Sequence, residues 1–381
     1  MQLPLEGITV LEFSQYLSGP CAGLRLADLG ACVVKIERPG KGDAGRPLAI
    51  KNLWADESSL LFHTINRNKY SVAADLKNPE DLAFVKRLIG KADVMTHNFR
   101  PGVMDAIGLH YEAAAEINPR IIYTEISGYG KKGPWSRKPG QDLLSQARSG
   151  LAYSTGNGYD HPVPFGLAIG DYLCGNQAVQ AILAALIRCR KTGRGALLEL
   201  SLVESLLDFQ FEFLTTYFQS QQQHQRSNIN NGHALLSAPY GIYKTQNGYI
   251  AIAMMPLEKL NSVLLCDALT PFSVSEVFEK RDEIKEIIST CFITDTTEQW
   301  LEKMRVHDLW AMPVLNWQQL VASPAYQALK MEQQFKAGDK TITTTRCPIR
   351  FDKQYFLSAK PAPKLGEHTA YFKNEWLKEK I

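Results

Sequence analysis

One carboxylate in the sequence stands at a position suited to chemistry. Asp171 lies in FGLAIGDYLCGNQAVQAILAALIR, residues 165–188, between a small apolar segment and an amphipathic helix. Apolar residues recur on one face of that helix, which predicts its burial: Ala178, Ile182, Ala185 and Leu186. An acid at a helix start is commonly a structural cap, and the helix macrodipole favours its ionised form. An ionised carboxylate can also act as a nucleophile, so both roles are open for Asp171.

Other stretches with binding patterns lack the context that the chemistry needs. GYGKKG, residues 128–133, has the spacing of a dinucleotide-binding loop and follows the predicted strand RIIYTEIS. It runs into Pro134 instead of opening a helix, and no acid lies about 20 residues beyond it. The sequence contains no phosphate-binding GK followed by Ser or Thr, no HExxH and no hydrolase-type serine between glycines. A glycine turn is predicted at residues 128–133, and no metal site is predicted.

Composition excludes several classes of protein. The 381 residues carry 42 Lys and Arg against 39 Asp and Glu, and the net charge of +3 is spread along the chain without a basic block. Nucleic acid is therefore not expected as a partner. No signal-peptide pattern is present and no apolar run approaches ~18 residues, so we expect a cytoplasmic protein that does not span a membrane. The seven cysteines are scattered without a CxxC pair, which predicts reduced packing residues.

Strands and helices alternate over roughly the first half of the chain. The predicted strands are ITVLEFS, CVVKIE, YSVAADL, DVMTHNF, RIIYTEIS and ALLELSL. One helix begins near Pro20 and ends at Gly30, and another has Asn78 as its cap and Pro79 at its first position. This alternation predicts an open, mostly parallel α/β sheet with helices on both faces.

The pattern changes near QSQQQHQ, residues 219–225. Before this run, SLLDFQFEFLTTYF predicts one long helix that leaves the first domain. After it, YGIYKTQNGYIAIAMM predicts a hairpin that turns at Asn247 and Gly248, and helices are predicted around EKRDEIKEIIST and TEQWLEKMRVHDL. A second domain of different architecture is therefore predicted to begin near residue 219.

Five stretches, in order along the chain, resemble one family. They are PLEGITVLEFSQYLSGPCAGLRLADLGACVVKIERPGKGD, NFRPGVMDAIGL, the IGD that contains Asp171, KTGRG and the terminal KLGEHT. Together they resemble the class III CoA-transferase family, which includes formyl-CoA:oxalate and carnitine CoA-transferases and the α-methylacyl-CoA racemases. The resemblance runs from Pro4 to Thr369 and so covers nearly the whole chain.

For the fold, the resemblance implies a large Rossmann-like α/β domain made from both chain ends and a smaller inserted α+β domain. Residues 1–218 are expected to form the N-terminal part of the large CoA-binding domain, including the long helix towards the linker. Residues 219–325 are expected to form the small domain, and residues 326–381 a return segment that completes the large one. An interlocked homodimer of two open, ring-like subunits is also implied.

For Asp171, the resemblance implies a covalent role. In transferases of the family the matching aspartate takes the acyl or CoA moiety. The resemblance therefore implies a CoA-transferase that moves CoA from a donor acyl-CoA to a small carboxylic or dicarboxylic acid through an aspartyl-CoA thioester. CoA and acyl-CoA are then substrates, and no tightly bound cofactor is expected. Each step develops an oxyanion, so backbone donors are expected near Asp171.

Two other functions are considered beside this one. A racemase needs a proton carrier on each side of the α-carbon, and the family racemases carry a histidine where PGQDLLSQARSGL has Gln141. Glutamine cannot carry a proton at neutral pH, which favours the transferase. The second alternative is a catalytically silent CoA-binding protein with a regulatory or scaffold role, which the presence of Asp171 does not favour.

The family motifs also imply CoA contacts. The matching residues are Leu17, Ser18, Arg38, Lys77, Asn98, Phe99 and Arg100. Arg38, Lys77 and Arg100 suit the CoA phosphates, because their charged groups form strong hydrogen bonds with phosphate. Each of the three could also be a solvated surface charge. Ala106 stands where many relatives have arginine, so a phosphate contact is either missing there or supplied by Arg137 and Lys138.

The acceptor site has fewer matching residues. In the oxalate-using relatives a glycine-rich loop of the small domain closes over the aspartate, whereas this chain has NINNGHALLSAPYG with Gly232 near the matching place. Gln15, Tyr16 and His233 are expected to contact a small polar acid, with packing roles as the alternative. By family analogy, formyl-CoA or succinyl-CoA is the donor, and oxalate, succinate or a related acid is the acceptor.

Overall fold

The computed structural model describes residues 3–358 and 360–379, which divide into two compact units. The first and larger unit consists of the chain up to Ser145, Ala168–Asp208 and the chain from Lys330 onward. The second unit consists of Gln146–Leu167 and Phe209–Leu329. The first unit thus contains segments from both chain ends.

The bounds of the second unit differ from the expected 219–325. Gln146–Leu167, which the sequence placed within the large domain, packs with the second unit, and so does the segment from Phe209 to the glutamine run. A contribution from a distant stretch of chain leaves no mark in local composition, which is why the sequence pattern did not show it.

A six-stranded sheet lies at the centre of the first unit. In chain order its strands are β1 (Thr9–Glu12), β2 (Cys32–Glu37), β3 (Tyr70–Ala73), β4 (Val94–His97), β5 (Ile122–Ser127) and β6 (Ala196–Ser201). They lie in the order β3-β2-β1-β4-β5-β6, and all neighbouring pairs are parallel. This is the strand order of doubly wound dinucleotide-binding sheets. The predicted open parallel α/β sheet is confirmed.

The helices of the first unit follow the strands on both faces of the sheet. Their bounds are α1 (Ser18–Asp28), α2 (Leu60–Asn66), α3 (Pro79–Ile89), α4 (Val103–Ile107), α5 (Tyr111–Ile117), α6 (Asp142–Ser149), α7 (Ile169–Thr192) and α8 (Leu202–Phe209). The last four residues of α6 and the last residue of α8 belong to the second unit. The start of α3 is as predicted, because the Asn78 side-chain oxygen accepts from the backbone N–H of Glu80 at 2.8 Å and Pro79 follows the cap.

Two apolar clusters cover the two faces of the sheet. Successive residues of a strand point to opposite faces, so Val10 belongs to one cluster and Leu11 to the other. On the first face the strands pack against α7, whose Ala178 and Ile182 are fully buried. The buried helix face that the spacing predicted is confirmed there.

The C-terminal motif KLGEHT closes the exposed edge of β3. Gly366 donates its backbone N–H to Ser71 Oγ at 2.9 Å, and the Ala73 N–H donates to Thr369 Oγ1 at 2.9 Å. His368 donates its backbone N–H to the Ser71 carbonyl at 2.9 Å, and its ring lies edge-on to Tyr70. Because an unpaired edge strand invites association, covering it with this segment protects the sheet.

The second unit contains a three-stranded sheet and several helices. The strands are Gly241–Lys244, Tyr249–Ile252 and Ala311–Pro313. The helices are Phe211–Ser220, Leu257–Leu264, Arg281–Phe292, Thr297–Val306, Trp317–Ala322 and Pro324–Leu329. The predicted antiparallel hairpin is confirmed, with the Thr245 N–H donating to the Gly248 carbonyl across the turn at 3.0 Å.

The single long helix that the sequence predicted before the glutamine run is wrong. The chain forms α8 and then a separate helix, Phe211–Ser220, because Gln210 adopts φ −98° and ψ 23° between them. Gln210 is buried, and its side-chain amide donates to the Ser149 carbonyl at 3.2 Å. A continuous apolar pattern does not reveal a break that a distant hydrogen bond holds in place.

Other short elements lie along the described chain. The two-stranded hairpins are Trp54–Ala55 with Ser58–Ser59, Glu332–Ala337 with Lys340–Thr345, and Arg350–Phe351 with Gln354–Tyr355. Three short helical segments lie near the end of the described residues: Thr369–Tyr371, Phe372–Trp376 and Leu377–Glu379. All seven cysteines are free thiols. Over residues 3–358 and 360–379, no helix is both long and apolar enough to cross a membrane.

Candidate active site

A crevice is expected where the strand order reverses, between β1 and β4. In doubly wound sheets, ligands bind at the carboxyl ends of the strands beside this reversal. The loops that leave β1 and β4 are joined there: the Gln15 N–H donates to Asn98 Oδ1 at 2.8 Å, and Asn98 Nδ2 donates to the Gln15 carbonyl at 2.7 Å. Asn98 therefore positions the loop that leads into α1.

Asp171 lies at this edge, in the first turn of α7. Its partly buried carboxylate accepts hydrogen bonds from the side chain and the backbone N–H of Ser18, the first residue of α1. The first amides of a helix have no partner inside the helix, so the start of α1 supplies the backbone donor expected near Asp171. Ala168 and not Asp171 is the residue that precedes α7.

Glycines allow close packing around the start of α1. A Cβ atom on Gly175 of α7 would lie 2.7 Å from the Ser18 carbonyl oxygen, and one on Gly19 of α1 would lie 2.1 Å from Ser14 Oγ. Both contacts are too short for a side chain, so glycine is required at each position for this packing. The spacing of Ser18 and Asp171 therefore depends on Gly175.

The expectation that the helix start stabilises ionised Asp171 is corrected by its surroundings. Burial, followed by the charge of Asp142, raises the pKa of Asp171 to about 6, and the two hydrogen bonds from Ser18 only partly offset this effect. The carboxylate is still the main form at neutral pH, but it is more basic than an ordinary aspartate.

Asp142 is a neighbour that the sequence interpretation missed. Its Oδ1 accepts the backbone N–H of Gly170 at 2.7 Å and that of Asp171 at 3.1 Å. Asp142 thus caps α7, the role considered for Asp171 itself. The sequence does carry a signal for this contact, because an acid stands beside Gln141 at the start of the helix DLLSQARS.

A buried ion network lies beneath the loop after β1. Glu12 pairs with Lys35 at 3.0 Å and with Lys69 at 2.9 Å, and Lys69 Nζ also donates to the carbonyl of Pro20 in α1 at 2.9 Å. Burial lowers the pKa of Lys69 to about 8, although Glu12 favours its charged form. This network, which the sequence did not reveal, holds α1 against β1.

The network also reaches the loop after β2. Asp43 pairs with Lys35 at 2.7 Å and accepts the backbone N–H of Tyr16 at 3.1 Å. Tyr16 has φ 64°, a left-handed conformation that a non-glycine residue seldom adopts without support. Asp43 supplies that support, and the Tyr16 side chain remains 56% exposed.

The residues expected to bind CoA phosphates share one edge of the sheet. Arg38 follows β2, Lys77 follows β3 and Arg100 follows β4, and all three side chains are exposed. Parallel strands end on the same edge, so the topology brings these cations to the side of the sheet that carries Asp171. Arg137 and Lys138 are also exposed and lie in the loop between β5 and α6.

A cavity of about 380 Å³ opens at the carboxyl ends of β4, β5 and β6. Its lining includes Phe99 and Arg100, which were expected to bind CoA, and residues 129–132 of the glycine turn. Gly128 has no room for a side chain, because its Cβ would lie 2.5 Å from Gly140 Cα. Among the described residues, no group of three or more His, Cys, Asp or Glu side chains gathers as a metal site.

The four residues expected at the acceptor site fall into different units. Gln15 and Tyr16 lie in the loop after β1 in the first unit, near Asn98 and Asp43 as described. Gly232 and His233 lie in the second unit. There His233 Nε2 is 3.4 Å from Glu212 Oε2, its Nδ1 accepts the Leu235 N–H, and its ring packs on Phe213.

Known proteins match this chain over nearly its full length. The model of the family described as CoA-transferase family III matches residues 5–369. Human succinyl-CoA:glutarate CoA-transferase is 32% identical over 98% of this chain and 86% of its own length. Succinate–glutarate CoA-transferase of Agrobacterium fabrum is 32% identical over 96% of this chain and 94% of its own.

A solved structure shows the same fold. A CaiB/BaiF family protein from Brucella suis superposes with a TM-score of 0.85 at 29% identity, covering 98% of this chain and all of its own. The resemblance read from the sequence motifs is thereby confirmed. The chain belongs to CoA-transferase family III and is a CoA-transferase.

Proposed function

We propose that this enzyme moves CoA from a donor acyl-CoA to a small carboxylic or dicarboxylic acid, with Asp171 as the covalent nucleophile. The observation that carries the proposal is the placement of the Asp171 carboxylate. It lies against the start of α1, hydrogen-bonded to Ser18, at the sheet edge where doubly wound folds bind ligands.

The first half of the reaction transfers CoA to the protein. The Asp171 carboxylate attacks the thioester carbonyl of the donor and expels CoA thiolate, which forms a mixed anhydride. The thiolate then attacks the aspartyl carbonyl of this anhydride and expels the donor carboxylate. Asp171 is left as an aspartyl-CoA thioester, and each step exchanges one anion for another, so that charge is balanced.

The second half repeats these steps in reverse order with the acceptor. The acceptor carboxylate attacks the aspartyl thioester and expels CoA thiolate, which forms a second anhydride. The thiolate attacks the acceptor carbonyl of that anhydride, which releases acceptor acyl-CoA and regenerates the Asp171 carboxylate. The hydrogen-bond donors of Ser18 are placed to stabilise oxyanion character that develops at Asp171.

CoA is proposed to lie along the carboxyl edge of the sheet. Its phosphates would pair with Arg38, Lys77 and Arg100. These exposed residues lie in the segments that follow β2, β3 and β4. The remaining contacts proposed are Leu17, Ser18, Asn98 and Phe99. With Ala106 in place of an arginine, Arg137 and Lys138 are proposed to add a phosphate contact.

A dicarboxylic acid is the acceptor that we favour. One relative is named for succinyl-CoA and glutarate and another for succinate and glutarate, each at 32% identity over most of both chains, and these names support a succinyl-CoA donor and a short dicarboxylate acceptor. Gln15, Tyr16, Gly232 and His233 are proposed to contact the acid. A cytoplasmic interlocked homodimer, in which each chain has a large domain built from both chain ends and a smaller inserted domain, is proposed as the working assembly.

Chemical trapping tests the nucleophile. The enzyme is incubated with succinyl-CoA and hydroxylamine, and peptide mass spectrometry should find a hydroxamate at Asp171. Asp171→Ala should lose transfer between succinyl-CoA and glutarate by at least ~10³-fold, as expected for removal of a covalent nucleophile. Glu80→Gln, which removes an exposed carboxylate of α3, is the matched control and should retain activity. Full activity in Asp171→Ala would overturn the mechanism.

The same preparation separates the two alternatives. A racemase would exchange the α-proton of a 2-methylacyl-CoA with deuterium oxide, whereas the exposed Gln141 offers no second proton carrier. A silent CoA-binding protein would bind CoA and yield neither a hydroxamate nor a new acyl-CoA from a pool of organic acids. The transferase should give both of these products and no α-proton exchange.

A further inference from the structure

Two carboxylates meet at the start of α7, and they have different surroundings. Asp171 accepts hydrogen bonds from Ser18, while Asp142 Oδ1 accepts the N–H groups of Gly170 and Asp171 at 2.7 and 3.1 Å. Asp142 of α6 is therefore hydrogen-bonded directly to the backbone of Asp171, which we propose as the nucleophile.

The start of α7 is shaped to receive Asp142. A Cβ atom on Gly170 would lie 3.0 Å from Asp142 Oδ1 and 3.1 Å from Leu206 Cδ1, so a larger residue would push the carboxylate away. On the other side, the chain that leads into α6 is fixed by the contact between Gly128 and Gly140. Both ends of the Asp142 contact thus depend on glycines.

Capping alone does not require a negative charge, because asparagine caps a helix as well as aspartate. The groups that face Asp171 from the packed elements are Asp142 of α6, Cys21 of α1 and Cys174 of α7 itself. Burial raises the pKa of Cys21 to about 11 and that of Cys174 to about 12, so both thiols are neutral at pH 7. Among these three, Asp142 supplies the charge, and it carries the same sign as Asp171.

We propose that Asp142 is a positioning residue of the transfer reaction, which holds the start of α7 and, through its charge, makes Asp171 a stronger nucleophile. This inference rests on the proposed role of Asp171. A like charge beside a carboxylate disfavours the ionised form and so raises its basicity. A more basic carboxylate attacks a thioester faster, provided that it remains ionised at the working pH.

Asp142→Asn separates the charge from the cap. Asparagine retains an oxygen for the two N–H groups, so the start of α7 should be preserved, whereas Asp142→Ala removes both functions. The ionisation of Asp171 is followed by NMR of the full-length protein labelled with ¹³C at the aspartate carboxyls, with Asp171→Asn identifying the signal. In Asp142→Asn the Asp171 midpoint should fall by roughly 0.5–1 pH unit, and hydroxamate formation at pH 7.5 should slow roughly 2–5-fold.

Asp208→Asn is the matched control. The exposed Asp208 also contacts α7, accepting from Gln177 Nε2 at 2.9 Å, but it lies away from the start of the helix. The control should leave the Asp171 midpoint unchanged. An Asp171 midpoint that is equal in wild type and Asp142→Asn would overturn this inference alone. Failure to trap Asp171 in the wild type would instead overturn the proposed mechanism, whatever the midpoints are.

Discussion

Asp171 combines two conditions that oppose each other in a folded protein. It is partly buried and lies beside a second carboxylate, both of which disfavour its charge, and yet the proposed reaction needs that charge. The hydrogen bonds from Ser18 resolve the conflict only in part, because the pKa of Asp171 remains raised at about 6. Such an acid is ionised at neutral pH but destabilises the fold while it is charged.

This conflict predicts how stability depends on pH. The pKa of an aspartate in the unfolded chain is ~4, whereas that of Asp171 in the folded protein is about 6. Between these pH values the folded protein therefore binds more protons than the unfolded chain. The stability that protonated Asp171 contributes is present below pH ~4 and is lost as the pH rises to about 6. Asp171→Asn removes the charge, and the variant should be more stable than wild type by ~1–2 kcal/mol at pH 7.5. Urea unfolding at pH 4.5 and 7.5 measures the difference, which should shrink at the lower pH. Equal differences at the two pH values would contradict the raised pKa.

At this scale the sequence revealed side chains but not their partners. The family motif pointed to Asp171, and in the structure its carboxylate is hydrogen-bonded to Ser18. Gln15 and Asn98, which were also expected at the site, are hydrogen-bonded to each other. Asp142 was missed although its place at the start of DLLSQARS indicates a helix-terminal contact. The ion network around Glu12 was missed because charged residues inside VLEF and VVKIE show no partner in one dimension. Their pairing depends on strand register, which the local pattern does not contain.

At the scale of elements, the site is a junction between two helix starts. The first turn of α1 provides Ser18, the first turn of α7 provides Asp171, and the two helices pack closely because Gly175 has no side chain. The strands that carry these loops were predicted well from apolar runs and β-branched residues. The break at Gln210 was not, since a buried side-chain contact outweighs helical propensity there.

Gly175→Ala tests this junction. The added methyl group would lie 2.7 Å from the Ser18 carbonyl oxygen, a backbone atom, so α1 must shift away from α7. Overpacking of this kind costs ~1–3 kcal/mol, and the transfer rate should fall more steeply than stability because the bond between Ser18 and Asp171 is stretched. Gln180→Ala, at an exposed position of the same helix, is the control and should change neither quantity by much. Wild-type kcat in Gly175→Ala would show that the close packing is not needed.

At the scale of the molecule, the first unit is completed by the far end of the chain. Gly366 and Thr369 bond to β3, and Phe372 and Trp376 belong to the apolar cluster on one face of the sheet. Local patterns in KLGEHT do not indicate its return to the sheet, which was expected from the family resemblance alone. A contact between residues some 300 positions apart leaves no periodic signal in the sequence, so local patterns do not predict it.

The proposed interlocked homodimer makes a prediction about subunit exchange. Large apolar residues are exposed to solvent in the second unit: the exposed fraction is 71% for Trp310, 72% for Met312 and 82% for Trp317. Exposed apolar residues of this kind are typical of surfaces that another chain covers. Sedimentation should therefore give the mass of two chains.

If the subunits are threaded through each other, two dimers with different affinity tags should not exchange subunits in native buffer, even on long dilution, because separation requires unfolding. Joint unfolding and refolding, as the positive control, should produce mixed dimers. A single-chain mass would contradict the dimer, and exchange without denaturant would leave a dimer whose chains are not interlocked.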